Sequence, residues 1–380
     1  MRTLFCLLAV AALFAGCANP SGVATTHDQA WTAVPDAATY AKMVNATVPK
    51  VDVKALLDDH DAFVRKDNER ADNLPTHEAA RVDLLSRFAS YGLTPYRFNF
   101  TDGIPQADVL GIKWGIDREH WVFVGGHYDT TDQTCALTGL PPGCPLRHVS
   151  QGAYDDGSGT FLTVHLAKTF AALNVTPYYT IAFTGYDGEE RGTQGAKAIV
   201  NAITTGDKSF AYPNVTIVGD LDLDMIGINW PGTMAPINVM TNSEALYKAT
   251  TDFAKAIGMP ADQLIRKDGL ALGSSDYAQF WHVKSPQTIP TIFFISDFEN
   301  IGLPSPAPDA VYTPTPAGYY PFWHAEDTVE TMRAMAGDPP ADGVAHPNLE
   351  AGFTTAAQLS ATLIHLMAYQ PQVTLDAVVK

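Results

Sequence analysis

Cysteine is scarce in this chain of 380 residues: there are four, and Cys6 and Cys17 fall within the first seventeen positions. The other two, Cys135 and Cys144, stand in one Gly/Pro-rich segment, TCALTGLPPGCP, with no histidine or second cysteine pair at a zinc-binding spacing. That argues against a cysteine-built metal site; in an exported chain the pair is expected to form a disulfide. Basic residues are also few, with Lys+Arg at 24 against Asp+Glu at 41 and a formal net charge of -17. Such a balance argues against nucleic acid or an anionic membrane surface as partner. There is no internal repeat and no low-complexity tract. The apolar run at the N-terminus, residues 4–14, is too short to span a bilayer.

That run has another meaning. Arg2, a short apolar stretch and small residues before a cleavage point describe a secretory signal. The LFAGC ending resembles the lipobox of bacterial lipoproteins, whose cysteine is lipidated and becomes the mature N-terminus; Phe14 is an imperfect fit. Residues 1–17 are therefore expected to be a signal peptide. Cys17 would carry a lipid anchor as the one membrane contact, and Ala18 resembles an outer-membrane destination facing the periplasm or the exterior. Residues 18–45, small and polar, read as a tether, and 46–380 as one catalytic domain.

With 46% hydrophobic residues the chain can bury a large core. Residues 51–91 carry a helical pattern, with Thr76 a possible cap in PTHEAARVDLL. Strand patterns follow at 96–100, 109–114, 121–125, 178–184, 215–223, 237–240 and 291–295, and helix patterns at 158–173, 194–202, 243–257 and 351–369. This alternation predicts an α/β fold with a mostly parallel sheet covered by helices on both faces. The Pro- and aromatic-rich stretch 296–320 reads as a long loop on the rim of a site.

Several acids and imidazoles stand at the ends of these strands, where open α/β sheets place reacting groups. His127 and Asp129, two apart after WVFVGG, point to one side of an extended backbone. A carboxylate there can accept a ligating imidazole's other N–H, although a plain turn would use the same residues. In GAYDDGSG, Asp155 suits a carboxylate bridging two metals, while Asp155, Asp156 and Ser158 would equally serve as helix caps. Glu189 and Glu190 after YYTIAFTG point different ways, so one can bind metal while its neighbour takes a proton; a solvated acidic turn is the simpler alternative. Asp220, Asp222 and Asp224 share one strand face, costly unless some are exposed or coordinated, and Asp224 at the strand end is the ligand candidate. His324 in FWHAEDT gains meaning only from the ensemble. Two histidines and four carboxylates can hold two zinc ions and leave one base free, which points to a zinc hydrolase.

With those residues in hand, the chain resembles the M28 family of zinc aminopeptidases from about residue 109 to residue 369. The motifs H-x-D, D-x-x-S-G, E-E-x-G and D-M-x-G and a late histidine segment ending in D-T occur in order. The resemblance implies a mixed, mostly parallel central sheet sandwiched between helices. It implies one zinc on His127 and Asp224, a second on Glu190 and His324, and Asp155 bridging them. Glu189 would be the general base on a metal-bridging water, Asp129 the partner of His127, and peptides with a free N-terminus the substrates. Two departures stand out. Trp323 occupies the place before the last histidine where many members have Tyr; its indole N–H could donate to the reaction intermediate, or its ring could wall a pocket. The cysteine-containing segment lengthens the interval from Asp129 to Asp155. In GSSDYAQF, Ser275, Asp276 and Phe280 match a segment lining the family's site, and Tyr277 replaces the usual His.

The Trp-His pair and GYDGEE also resemble animal-type glutaminyl cyclases, which share the fold and use a single zinc. The alternative function is then formation of N-terminal pyroglutamate, with Glu189 shuttling a proton. A catalytically silent binding module on the same scaffold is a third reading, and its usual sign, missing ligands, is not found. Oxygen-rich sites also accept divalent ions other than zinc.

Overall fold

The computed structural model describes residues 51–71, 74–131, 150–173, 175–228, 237–259, 264–266, 275–283, 288–296, 324 and 326–369. The expected signal peptide, lipid-bearing Cys17, tether, Cys135–Cys144 pair, Trp323 and nearly all of the rim loop lie outside these residues.

Two helices open the described chain, α1 (Val53–Lys66) and α2 (Pro75–Ser90). The expected Thr76 cap is corrected: the cap position is Leu74, with Pro75 opening the helix, and Thr76 Oγ1 donates back to Glu69 O instead. Proline suits the first helical position because its missing N–H would have no partner there. Next come β1 (Thr94–Thr101), β2 (Pro105–Lys113), β3 (Asp117–His127), α3 (Gly157–Ala172), β4 (Tyr179–Tyr186), α4 (Gln194–Thr205) and β5 (Thr216–Asp224). The remainder is β6 (Ile237–Thr241), α5 (Glu244–Ala256), β7 (Leu264–Arg266), α6 (Tyr277–Trp281), β8 (Thr291–Ile295), α7 (Val329–Ala336) and α8 (Pro347–Tyr369). Strand β7 and helices α6 and α7 carry no pattern long enough to be read from sequence, and α8 begins four residues before the expected 351.

Among the described residues the sheet has eight strands in the order β1-β2-β4-β3-β5-β8-β6-β7. Its centre, β4-β3-β5-β8, is parallel, and β1, β2 and the β6–β8 pairing are antiparallel. Helices cover both faces, as expected. The period of two along β3 sorts its side chains: Val122 and Val124 enter one core with α1, α2, α3 and α8, while Trp121 and Phe123 enter the other with α4. Helix α3 is buried nearly all round because it lies between the sheet and the outer helices. The C-terminal ends of β3, β4 and β5 converge on one edge of this layer, which is where the candidate residues cluster.

Candidate metal centre

His127 is the last residue of β3, Asp224 the last of β5, and Glu189 and Glu190 open a short 3-10 turn just after β4. Asp155 comes from the loop before α3. That loop is seated by close contact. Asp156 caps α3, its Oδ1 accepting Gly159 N–H at 2.7 Å and Met225 N–H at 3.1 Å. At Gly126 a Cβ would meet Asp156 Oδ2 and Leu223 O at 2.5 Å, so only glycine lets the helix start approach the strands. Ile226 N–H donates to Ser158 Oγ at 2.8 Å, and Met225 takes a left-handed φ of 52, which turns the chain away directly after Asp224.

The carboxylate of Asp155 lies between two imidazoles: Oδ1 is 3.0 Å from His127 Nε2, and Oδ2 is 3.2 Å from His324 Nε2. His324 Nε2 is also 2.9 Å from Glu190 Oε2, and His127 Nε2 is 3.8 Å from Asp224 Oδ1. Asp129 organises both sides of this group. Its oxygens accept the N–H groups of Glu189 at 3.1 Å and Glu190 at 3.2 Å, and Oδ1 lies 3.5 Å from His127 Nδ1. Ser275 Oγ donates to Asp224 Oδ2 at 2.9 Å. The structure thus brings together His127, Asp129, Asp155, Glu189, Glu190, Asp224 and His324; of the expected site residues, only Trp323 is outside its description.

The electrostatics are those of crowded acids. Burial and, among its neighbours, Asp155 push Glu190 up to about 7 against the pull of His324. Burial also raises Asp224 to about 6, with Asp155 adding to it and His127 opposing. Burial pushes Glu189 well above the carboxylate range, helped by Glu190, Asp224 and Asp155. For His324, burial works against charge, but Glu190 and Asp155 outweigh it and hold the imidazole at about 10. His127 is raised for the same reason, with Asp129 and Asp155 outweighing burial. Acids packed this closely are relieved either by protons or by a cation.

The donor set fits a divalent metal. Asp224 Oδ1 is buried with no hydrogen-bond partner among the described residues. One ligand atom each from His127, Asp155 and Glu190 lie within 4.8 Å of one another, as do those from His127, Asp156 and Asp224. Imidazoles with carboxylates suit zinc. Asp156 is the poorer ligand of the adjacent acids, because one oxygen is committed to the helix cap while Asp155 faces both imidazoles.

The expected cost of three acids along β5 is met in two ways. Asp222 accepts Tyr277 N–H at 2.7 Å and, chiefly through burial, rises to about 7. Asp220, fully buried, has neither oxygen hydrogen-bonded among the described residues, and burial followed by repulsion from Asp222 raises its pKa well above the usual range, which favours the neutral acid over the charged one.

Residues 109–336, more than half of the chain, match the family described as Peptidase family M28. The chain belongs to that family. A probable zinc metalloprotease of Pyrenophora tritici-repentis is 27% identical over 213 residues, covering 54% of this chain and 44% of the relative. The chain spans less than half the length of that curated relative. Among solved structures, a Zn-dependent exopeptidase from Parabacteroides distasonis has a TM-score of 0.54 at 17% identity, covering 85% of this chain and 100% of its own. A glutaminyl cyclase from Bacteroides thetaiotaomicron has a TM-score of 0.53 at 15% identity, covering 86% and 100%. Both share the fold.

Within this M28 chain, two buried residues to which the sequence motifs assigned no role help to hold the centre. Asp327 accepts Tyr154 N–H at 3.0 Å and Asp155 N–H at 2.8 Å, and so fixes the backbone of Asp155. It stands in HAEDT, three residues after His324, and that proximity was the available signal. Arg70 reaches the same loop from the segment between α1 and α2, a position with no motif around it.

Proposed function

We propose that this chain is an exported aminopeptidase that hydrolyses the N-terminal residue from peptides at a two-zinc centre. The observation that carries the reading is Asp155, whose two oxygens face His127 and His324 separately at 3.0 and 3.2 Å. His127 and Asp224 would hold one ion, Glu190 and His324 the other, and Asp155 both. Bound there, zinc supplies Lewis acidity toward the scissile carbonyl and makes water a nucleophile near neutral pH.

The chain's own groups do the rest. Glu189 takes the proton from the attacking water and returns it to the departing amine as the C–N bond breaks. Asp129 keeps Glu189 and Glu190 in register through their backbone N–H groups. The lipobox-like LFAGC supports lipidation of Cys17, and Ala18 after it supports an outer-membrane destination facing the periplasm or the exterior. The mass of the mature N-terminal peptide tests that anchor.

The decisive experiment counts zinc per folded chain in metal-buffered solution and follows release of free amino acids from unblocked peptides. Two equivalents with amino-acid release are expected, and Glu189→Gln should abolish turnover while keeping zinc. The Trp323–His324 pair supports a second reading, a single-zinc glutaminyl cyclase. One equivalent of zinc, with pyroglutamate formed on Gln-initiated peptides and no cleavage, would replace the first reading by the second.

A further inference from the structure

Two of the chain segments that build the centre are separated by the cysteine-containing stretch. One segment leaves β3 through Tyr128, Asp129 and Thr130; the other returns through Gln151 and Gly152 to Asp155. A single side chain spans them. Arg70 is fully buried, and its guanidinium donates from Nε to Tyr128 O at 2.5 Å, from Nη1 to Gln151 O at 2.6 Å and from Nη2 to Gly152 O at 2.9 Å. Its backbone N–H donates to Thr130 Oγ1 at 2.9 Å, and the guanidinium carbon lies 5.2 Å from the Phe63 ring centroid.

The geometry points to Arg70 as a positioning residue that sets the distance between His127 and the bridging Asp155, and through it the metal affinity of the centre. Tyr128, whose carbonyl it binds, stands between His127 and Asp129; Gln151 and Gly152 precede Asp155 by four and three residues. The three side-chain hydrogen bonds go to backbone carbonyls on both segments, so the side chain restrains main-chain geometry directly. The glycine it meets is part of the arrangement: Gly152 has φ +53, and a Cβ there would lie 2.8 Å from Arg70 Nη2. A buried guanidinium is an expensive way to fill space, and an apolar side chain of similar volume would often serve stability equally well. What an apolar residue, or lysine with its single nitrogen, lacks is a rigid fork that addresses three carbonyls at once.

The inference rests on the metal reading of the site, and the test separates the two. Zinc affinity is measured by competition with a chromophoric chelator on the wild-type chain, Arg70→Lys and Arg70→Met, alongside thermal unfolding and kcat and KM on an unblocked peptide. Arg70→Lys and Arg70→Met, folded at the assay temperature, are expected to bind zinc about 10- to 100-fold more weakly, with kcat falling more than KM rises. A merely structural role would lower the unfolding temperature but leave zinc affinity and kcat of the folded protein at wild-type values, and that result overturns the inference. Should both variants fail to fold, Thr130→Val removes only the acceptor of Arg70 N–H; a several-fold loss of zinc affinity is expected, and no loss refutes the assignment. A wild-type chain that binds no zinc overturns the metal reading itself.

Discussion

Replacing Asp129 by Asn tests how the centre is held together. The carboxylate accepts two backbone N–H groups, from Glu189 at 3.1 Å and Glu190 at 3.2 Å, and stands 3.5 Å from His127 Nδ1. An amide of the same shape offers one oxygen and one NH2 group to the same two N–H donors. One donor must then face another donor, and the turn either loses a hydrogen bond or rotates away. Leaving such a group unsatisfied costs about 1–3 kcal/mol. His127 loses a neighbouring negative charge at the same time. Since about 1.4 kcal/mol is a tenfold change in an equilibrium constant, zinc affinity should fall roughly 5- to 150-fold, an interval that brackets the loss of about 10- to 100-fold known for partners of metal ligands. Displacement of Glu189 should lower kcat as well. Chelator competition reads the first effect and steady-state hydrolysis of an unblocked peptide the second. Wild-type zinc affinity together with wild-type kcat in Asp129→Asn would refute the argument that this carboxylate organises the site.

Two further expectations concern stability. His365 is buried in α8, stacked on Tyr369 with ring centroids 4.9 Å apart, and neither ring nitrogen has a hydrogen-bond partner among the described residues. Burial lowers its pKa to about 4. Below the unfolded value of about 6.5 the unfolded chain takes up a proton that the folded chain refuses, so up to about 3 kcal/mol of stability is lost as pH falls from 6.5 toward 4. His365→Phe keeps the stack and should shrink the acid-side loss in urea unfolding between those pH values; an unchanged pH slope would count against the assignment. At Gly159 a Cβ would fall on the Leu223 carbonyl oxygen. Gly159→Ala should therefore lower the melting temperature even though alanine is favoured in helices by about 1 kcal/mol; a rise would show that α3 can move off the strands.

The strands of the central sheet were legible in the sequence because they are long, apolar runs ended by turns. Pattern at 291–295 coincides with β8, and Gly157–Ala172 differs by one residue at each end from the helical pattern at 158–173. Shorter elements escaped. β7 has three residues and α6 five, too few to express a period, and their existence depends on the neighbours they pack against. The local setting of each candidate acid and imidazole was legible too, since such groups gather at the C-terminal ends of strands.

Local sequence alone determined the alternation of strands and helices and the residue types that ring the centre, because periodicity and turn chemistry act over a few residues. Tertiary structure decided what those residues do to one another. It gave the physical reason for Asp155 rather than Asp156, the choice the family resemblance already implied: Asp156 is spent on the cap of α3, and Asp155 faces the two imidazoles. It also made Asp129 a holder of the glutamate turn as well as a neighbour of His127. Arg70 and Asp327 belong to the centre only because the chain folds them against its backbone from about 80 and 170 residues away. Hydrogen bonds to main-chain carbonyls and N–H groups require no particular side chain at the far end, and so they leave no motif to read.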